Sequence, residues 1–360
     1  MQPKEDISTK GPLVRPRRIL LIQLQWLGDV AITTTLLEDL RRERPDAAVD
    51  YFVGPAAAPL LEHHPLISRI IVFRDWVGAL RTVRAGRYDW ILDLQSNWRT
   101  SLLSFVSGAP VRAGWGVSIW HHLYSHVLPR DAGQPLYVGY QRQLFLQMVG
   151  VRTERTVGRL QLLPAERAEG ESLVRSQVGS PDKARVAFTL SARRSDKEWP
   201  VPRFAELAAA LQEKGVEAIC LAGPGDDDKV AELRSIASNI PVVSTHPLRR
   251  LLAVLSACDV FVSVDTGPAH LATALGVPRV TLFGPTDPEG WSPPVPSVAA
   301  LRVPGLMNGD SPGRGNSAPA TMAENSVDSV LAAVMKLLRA FSPRDSLLSE
   351  PSPHADSARP

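Results

Sequence analysis

The fold is decided by the stretch Val260-Phe-Val-Ser-Val-Asp-Thr-Gly-Pro-Ala-His-Leu-Ala-Thr-Ala-Leu-Gly276. It begins with five residues of strand type, turns sharply over the next four, and continues with apolar residues at helical spacing. A proline near the start of a helix costs no hydrogen bond, and Gly276 suits the helix end. Because a strand, a short turn and a helix direct several backbone N–H groups at one place, the stretch predicts a phosphate-binding turn.

A second strand and a second turn follow at once. Arg279-Val-Thr-Leu-Phe283 has the pattern of a buried strand and ends in Gly284-Pro-Thr-Asp-Pro288. The carboxyl ends of neighbouring parallel strands share one edge of a sheet, so we expect the two turns to lie side by side. Packing alone explains such a pair poorly, and the pair favours a site for a phosphorylated ligand.

Length and composition set broad limits. The chain has 360 residues, more than one hydrophobic core usually serves, so two domains are expected. A formal charge of +3 does not indicate nucleic-acid binding. Cys220 and Cys258 give neither a disulfide framework nor a metal cluster and fit a reducing, cytoplasmic location. No apolar run precedes Ile19 and none reaches about 18 residues, so we expect neither a secretory signal nor a membrane-spanning helix.

Strand-like runs alternate with helical patterns along most of the chain, which predicts βαβ units on parallel sheets. We predict an N-terminal domain over 18–160, a linker over 161–184 and a C-terminal domain over 185–340. Polar tails over 1–17 and 341–360 are expected to be disordered. The expected α/β fold is two facing Rossmann-like domains with a cleft between them, and ligands bind beyond the carboxyl ends of the strands.

Two stretches are predicted as loop. Residues 121–134 are polar and aromatic, and residues 284–320 are rich in proline, glycine, asparagine and serine. The first contains His121, His122 and His126. Their spacing is not that of a recognised metal site, so histidines facing solvent or substrate are favoured over metal ligands.

The turn after the first strand is Gln25-Trp-Leu-Gly-Asp29. Its aspartate stands at the start of a helix, where many aspartates act only as N-caps. The alternative is a general base that faces the cleft. The turn contains no G-x-G-x-x-G pattern, which argues against a dinucleotide-dependent dehydrogenase.

The turn after the first strand of the second half runs from Leu190 to Pro200 and carries Ser191 and Lys197. We expect Lys197 to neutralise a pyrophosphate while Ser191 and backbone amides donate hydrogen bonds. A solvated loop lysine is the alternative. The compact K-x-W-P pattern directly before a helix favours the functional interpretation.

Together these motifs resemble glycosyltransferase family 9, the heptosyltransferases of lipopolysaccharide core assembly and their relatives. The motifs are I-L-L-I-Q-L-Q-W-L-G-D-V at 19–30, D-K-E-W-P at 196–200, S-V-D-T-G-P-A-H-L-A at 263–272 and L-F-G-P-T-D-P-x-x-W at 282–291. The resemblance extends over about residues 18–339. It implies a GT-B fold, metal-independent inverting transfer and an ADP-linked heptose donor.

The resemblance also assigns roles to residues. The family's N-terminal aspartate falls on Asp29, as the base that deprotonates the acceptor hydroxyl, and its K-x-W-P lysine falls on Lys197, as a phosphate ligand. The acidic residue that contacts the ribose falls near Asp226. The motif that lines the diphosphate of the nucleotide sugar comprises Asp265, Thr266, Gly267, Pro268 and His270.

The chain also departs from the family pattern. Gln23 stands where relatives commonly carry arginine or lysine, and Trp26 stands where a small residue is common. The segment Gly313 to Thr321 stands where relatives often have cysteines. The missing positive charge at Gln23 leaves open whether the acceptor is the usual anionic lipid A–Kdo unit.

The leading hypothesis is an inverting, metal-independent glycosyltransferase that moves a sugar, heptose from ADP-heptose under the resemblance, to a lipopolysaccharide core or another cell-envelope glycan. A nucleotide-sugar epimerase and a non-catalytic nucleotide-sugar-binding homologue are the alternatives. We expect a monomer with no cofactor beyond its nucleotide sugar. The acceptor is expected to be a glycan or lipid-linked, and a basic, aromatic surface near Arg99, Trp115, Trp120 and His121 is expected to meet the inner membrane.

Overall fold

The computed structural model describes residues 15–117, 119–129, 132, 136–178, 182–284, 286–303 and 322–341. The predicted tails lie outside these ranges except for residues 15–17 and Phe341, and Gly313 to Thr321 lies outside them altogether. Within the described ranges, no helix has both the length and the apolar character needed to cross a membrane.

The first half of the described chain forms a parallel sheet. Its strands are β1 (Arg18–Ile22), β2 (Ala48–Val53), β3 (Arg69–Val72), β4 (Trp90–Asp93), β5 (Val111–Trp115) and β6 (His126–Leu128). Its helices are α1 (Leu27–Thr33), α2 (Thr35–Glu43), α3 (Ala58–Leu61), α4 (Trp76–Ala85), α5 (Trp98–Val106) and α6 (Val138–Met148), and α7 (Pro164–Arg175) follows them. The strand order is β3-β2-β1-β4-β5-β6.

The second half repeats this arrangement. Its strands are β7 (Arg185–Phe188), β8 (Glu217–Ala222), β9 (Val242–Ser244), β10 (Val260–Val264), β11 (Arg279–Phe283) and β12 (Val298–Arg302). Its helices are α8 (Val201–Glu213), α9 (Asp227–Ile236), α10 (Leu248–Ser256), α11 (Gly267–Ala274), α12 (Pro288–Trp291) and α13 (Val327–Phe341). The strand order is β12-β11-β10-β7-β8-β9, again parallel throughout.

The central strands are covered on both faces, as in doubly wound sheets. Alternate residues of β1 enter different core clusters: Ile19 and Leu21 join one, and Leu20 and Ile22 join another. In each sheet the strand order reverses beside the first strand, between β1 and β4 and between β7 and β10. Such switch points are where open parallel sheets bind ligands. The prediction of two Rossmann-like units is confirmed.

The prediction of loop at 121–134 and 284–320 is wrong in part. The first stretch contains β6, and the second contains α12 and β12. Both strands lie at a sheet edge with one neighbour, and β12 is only partly buried. An edge strand has one pairing partner and less burial, so its sequence lacks the apolar run that marks a central strand.

The two halves pack directly on each other. The predicted linker contains α7, which packs on α10 of the second half. Arg249 of α10 ion-pairs with Glu166 of α7 and donates to the carbonyl of Pro59 in α3 at 3.2 Å. Trp291 of α12 packs against a small apolar cluster of the first half that includes Tyr137. These contacts fix how the two switch points face each other. The predicted domain boundaries themselves stay a prediction.

Candidate active site

A cavity of about 660 Å³ lies between the two halves, where the turns after β1, β7 and β10 meet. The residues that line it are 26–29, 191–194, Lys197, Pro224, 265–268, His270, Thr286 and Trp291. All the predicted site residues therefore line one cavity except Asp226. The two switch points supply most of its walls, since one follows β1 and the other lies between β7 and β10.

At Gly28 the backbone of the first half touches the turn that begins α11. A Cβ atom on Gly28 would lie 2.6 Å from Cδ2 of His270 and 3.5 Å from the Cα atom of Gly267. Only hydrogen fits in that space. The first turn of α1, which carries Asp29, is therefore held against the turn that begins α11.

Asp29 lies in the first turn of α1, but Trp26 occupies the N-cap position and no side chain caps this helix within the described chain. The simple N-cap interpretation of Asp29 is therefore wrong. Its carboxylate is one-fifth exposed and faces the cavity. A partly accessible carboxylate on one wall of a cleft suits a general base.

Arg142 of α6 holds Asp29 in place. Its guanidinium ion-pairs with the Asp29 carboxylate, donates to the Asp29 carbonyl, and donates to Oγ1 of Thr33 at 2.7 Å. Arg142 is itself buried. Arg142 was not among the residues predicted from the sequence. One signal was present, because Arg142 lies three and four residues before Phe145 and Leu146 and so shares their buried face.

On the opposite wall, Lys197 and Asp265 form an ion pair. The Lys197 Nζ atom lies 2.7 Å from Oδ2 of Asp265, and Thr286 donates to the same oxygen at 2.9 Å. Lys197 stands in a short 3₁₀ turn after β7, and Asp265 directly follows β10. An ammonium group has three donors, so the pair leaves two of them for a ligand in the cavity.

His270 is buried beside this pair. Its pKa falls to about 3, chiefly because burial disfavours the charged ring and also because the Arg279 guanidinium is near. The ring is therefore neutral near pH 7, although Nε2 lies 3.9 Å from Oδ1 of Asp265. Its Nδ1 atom is buried without a hydrogen-bond partner in the described part of the chain. His270 thus lines the cavity as an uncharged ring whose Nδ1 atom has no hydrogen-bond partner within the described chain.

The turn quoted first from the sequence forms as predicted. Thr266 has extended backbone angles, α11 begins at Gly267, and Pro268 stands in its first turn. No side chain of the described chain caps this helix. Its first N–H groups and the positive end of its dipole therefore face the cavity without a competing oxygen atom.

Ser191 and Asp226 are engaged with each other. Ser191 donates its hydroxyl to Oδ1 of Asp226, and the backbone N–H of Gly223 donates to Oδ2 at 2.7 Å. Asp226 is buried and does not line the cavity. Its carboxylate stabilises the turn after β8 through the Gly223 N–H, and Pro224 of this turn lines the cavity. The role of Asp226 as a ribose contact stays a prediction.

A pair across the cleft was not foreseen from the sequence. The guanidinium carbon of Arg193 lies 3.9 Å from the centroid of the Trp26 ring. Trp26 has a φ of 66°, which is uncommon for a bulky residue and turns its side chain toward the second half. A cation–π contact of this kind links the two walls at the mouth of the cavity.

The departure at Gln23 does not put a polar group into the cavity. Gln23 is buried, and its amide donates to the carbonyl of Gln25 and to Oε1 of Gln95, both at 3.0 Å. The same Oε1 accepts the backbone N–H of Gln25 at 3.2 Å. Gln23 therefore braces the turn that leads to Asp29.

The histidines of the 121–134 region have local partners. His122 Nδ1 lies 2.5 Å from the carbonyl of Ile119, and the buried His126 has Nδ1 2.9 Å from Oγ of Ser125. Among the described residues, no group of three or more histidine, cysteine, aspartate or glutamate side chains is placed to hold a metal ion.

The chain is similar to known proteins both in sequence and in fold. The chain is 27% identical over 313 residues to lipopolysaccharide heptosyltransferase 2 of Escherichia coli K12, covering 81% of this chain and 89% of that one. A family 9 glycosyltransferase from Veillonella parvula has the same fold, with a TM-score of 0.81, 23% identity, and 90% and 98% of the two chains covered. For E. coli ADP-heptose lipopolysaccharide heptosyltransferase II the TM-score is 0.73 at 22% identity, with 90% and 99% covered.

A family model that describes heptosyltransferases matches most of the chain. It covers residues 77–317 and is described as glycosyltransferase family 9 (heptosyltransferase). The predicted GT-B fold is confirmed, since the neighbours share two Rossmann-like units around a cleft. The chain is therefore a glycosyltransferase and belongs to glycosyltransferase family 9, the heptosyltransferase family.

Proposed function

We propose that the chain transfers heptose from ADP-heptose to a sugar hydroxyl of a lipopolysaccharide core or related cell-envelope glycan, with inversion and without a metal ion. The observation that carries the proposal is that Asp29 and Lys197 stand on opposite walls of one cavity. Relatives described as lipopolysaccharide heptosyltransferases, one of them an ADP-heptose enzyme, support the choice of donor and acceptor.

Asp29 acts as the base in this proposal. It takes the proton of the acceptor hydroxyl while that oxygen attacks the anomeric carbon of the donor sugar. The bond between that carbon and the diphosphate oxygen breaks as the new glycosidic bond forms, and ADP leaves with the electron pair. Attack on the face opposite the leaving group inverts the anomeric centre. Arg142 fixes the carboxylate so that its free edge faces the acceptor.

The charge that develops on ADP is met by Lys197 and by the N-terminus of α11. Asp265, whose carboxylate also accepts the Thr286 hydroxyl, holds the ammonium group in place before the donor arrives, so the cation needs little reorganisation during reaction. The ring of His270, neutral near pH 7, contributes no charge of its own to this stabilisation. Preorganised positive charge of this kind supplies the stabilisation that a metal ion supplies in other transferases.

The acceptor side is proposed to take a lipid-linked glycan at the cytoplasmic face of the inner membrane. Both walls of the cavity come from one chain, so a monomer is sufficient for the chemistry. The nucleotide sugar is the co-substrate, and no further cofactor is invoked.

Thermal stabilisation by different nucleotide sugars tests the donor. ADP-heptose at about 100 times its dissociation constant should add about 2.7 kcal/mol to the free energy of unfolding, and GDP- and UDP-sugars should add less. Incubation of the donor without an acceptor tests the epimerase alternative. The proposal expects the nucleotide sugar to remain unchanged; formation of an epimer, or stronger stabilisation by a UDP-sugar, would contradict it.

A further inference from the structure

Helix α5 carries an apolar face that stays about half exposed within the described chain. Trp98, Leu102 and Phe105 follow one another at i, i+4 and i+7, and so lie on one side of the helix. Their side chains are 51%, 39% and 52% exposed. The opposite side of α5, with Leu103 at its centre, is buried, and the helix contacts β4 and β5 of the sheet.

The apolar surface continues on both sides of α5. The turn Ile119–Leu123 packs against α5, and Ile119 is 78% exposed and Trp120 is 38% exposed. Helix α4 packs against α5 on the other side and exposes Val77. Single exposed apolar residues are ordinary, but a run across three adjacent elements marks an interaction surface.

Arginines surround this surface. On α4, Arg81 and Arg84 share the face of Val77, and Arg84 donates to the carbonyl of Val106 at the end of α5 at 3.1 Å. The guanidinium of Arg99 lies over the Trp98 ring at 4.9 Å. All three arginines are exposed.

Acidic residues are scarce in the same region. The sequence has no aspartate or glutamate between Asp93 and Asp131. Asp93 is fully buried, and Asp75 caps α4 by accepting the N–H of Gly78 at 2.7 Å. Asp89 accepts the backbone N–H groups of residues 17 and 18. The surface is thus apolar and carries more positive than negative charge, since among the described residues only the exposed Asp75 at the start of α4 offsets the arginines beside it.

The N-terminal end of this surface adjoins the acceptor wall of the cavity. Asn97 caps α5, and Gln95, two residues earlier, accepts the backbone N–H of Gln25 in the turn that carries Trp26 and Asp29. A ligand tethered at α5 would therefore reach the cleft beside the candidate base.

We propose that this surface, the α5 face (Trp98, Leu102, Phe105, Ile119 and Trp120 with Arg81, Arg84 and Arg99), docks the protein on an anionic lipid bilayer. The inference rests on the proposed transfer to a lipid-linked acceptor. Aromatic and aliphatic side chains enter the boundary between headgroups and acyl chains, and the arginines pair with lipid phosphates above them. Docking in this way holds the acceptor wall of the cavity close to the membrane.

Co-sedimentation with vesicles tests the docking. The full chain is mixed with vesicles of phosphatidylcholine alone or with about 30 mol% phosphatidylglycerol, an anionic lipid. Wild type should bind the anionic vesicles about tenfold more tightly than the neutral ones, and high salt should weaken the binding. Leu102→Gln with Phe105→Gln, and separately Arg81→Gln with Arg99→Gln, should each lower the affinity about tenfold.

Two double variants serve as matched controls, because they make the same kinds of substitution outside the α5 face. Ile236→Gln with Phe341→Gln removes apolar groups that are 49% and 42% exposed in the second half. Arg175→Gln with Arg203→Gln removes exposed arginines of α7 and α8. Both double variants should bind vesicles as wild type does.

Three results would overturn the docking proposal: equal binding to both vesicle types, α5-face variants that bind like wild type, or an oligomer that Leu102→Gln with Phe105→Gln splits while vesicle binding persists. The last result would assign the surface to a second copy of the chain. Because no sugar is present, the assay is independent of the transfer reaction. Binding of ADP-heptose by the same variants reports on the proposed function and should be unchanged.

Discussion

The guanidinium of Arg142 donates hydrogen bonds to both the side-chain carboxylate and the backbone carbonyl of Asp29, although the two residues lie 113 positions apart in the sequence. This pairing orients the candidate base from α6, a helix that packs on α1 and α2. It makes Arg142 a positioning residue, because it does not line the cavity but acts through Asp29.

Replacing Arg142 tests this positioning. Arg142→Gln frees the Asp29 carboxylate to rotate, and a misplaced base should lower kcat about 100-fold. The KM for ADP-heptose should stay near wild type, because the proposed donor site lies on the other wall. Arg142→Lys keeps the ion pair but loses the forked contacts, so it should recover part of the rate. If thermal melting instead showed that both variants lose stability in proportion to their loss of rate, Arg142 would have only a structural role.

Gly28→Ala tests the close approach of the two halves. A methyl group at this position would lie 2.6 Å from the His270 ring. We expect a loss of about 1–3 kcal/mol in the free energy of unfolding and a fall in kcat/KM, because the ring and α1 must separate. Gly290→Ala is the control, since its Cβ position meets no atom within 4 Å. Unfolding in urea and steady-state rates check both variants; a Gly28→Ala enzyme as stable and active as wild type would contradict the packing described.

Lys197→Ala should weaken nucleotide binding, and only because the contact between the lysine and the diphosphate is lost. Loss of a charged hydrogen bond, about 1.5–3 kcal/mol, predicts about 10- to 100-fold weaker binding of ADP. Asp265, left without its cation, adds repulsion against the phosphates. Adenosine, which lacks phosphates, should bind as it does to wild type. Isothermal titration calorimetry compares the two ligands, with Lys214→Ala as the exposed-lysine control; equal losses for ADP and adenosine would remove Lys197 from the phosphate site.

The lowered pKa of His270 predicts a pH dependence of stability. In the unfolded chain a histidine takes up a proton near pH 6.5, whereas in the folded protein the pKa of His270 is about 3. Below about pH 6.5 the unfolded state therefore binds one more proton, so the free energy of unfolding falls as the pH decreases. His270→Gln should lose stability less steeply than wild type between pH 7.5 and 5. Thermal melts against pH measure the two slopes, and parallel slopes would place His270 in a more polar setting than the structure has.

The turns were predictable because their signals are local. A buried parallel strand is a short apolar run, and the residues after it reveal a turn by their glycines and prolines. The sequence thus located Asp29, Lys197 and the Asp265 to His270 turn, and the structure brings them to one cavity.

Contacts between distant segments were not predictable in the same way. The pairing of Arg142 with Asp29 depends on how α6 packs on α1, and the pairing of Arg193 with Trp26 depends on how the two halves face each other. No local pattern specifies either arrangement. The direction of the Asp226 side chain, turned to Ser191, depends likewise on tertiary packing.

The central claim is that Asp29 removes the proton of the acceptor. The direct measurement is the turnover of Asp29→Asn at saturating ADP-heptose, together with its affinity for ADP-heptose by calorimetry. Loss of a general base should lower kcat about 10²- to 10⁴-fold and leave donor affinity within about twofold of wild type. Turnover near the wild-type rate would contradict the assignment of Asp29 as the base.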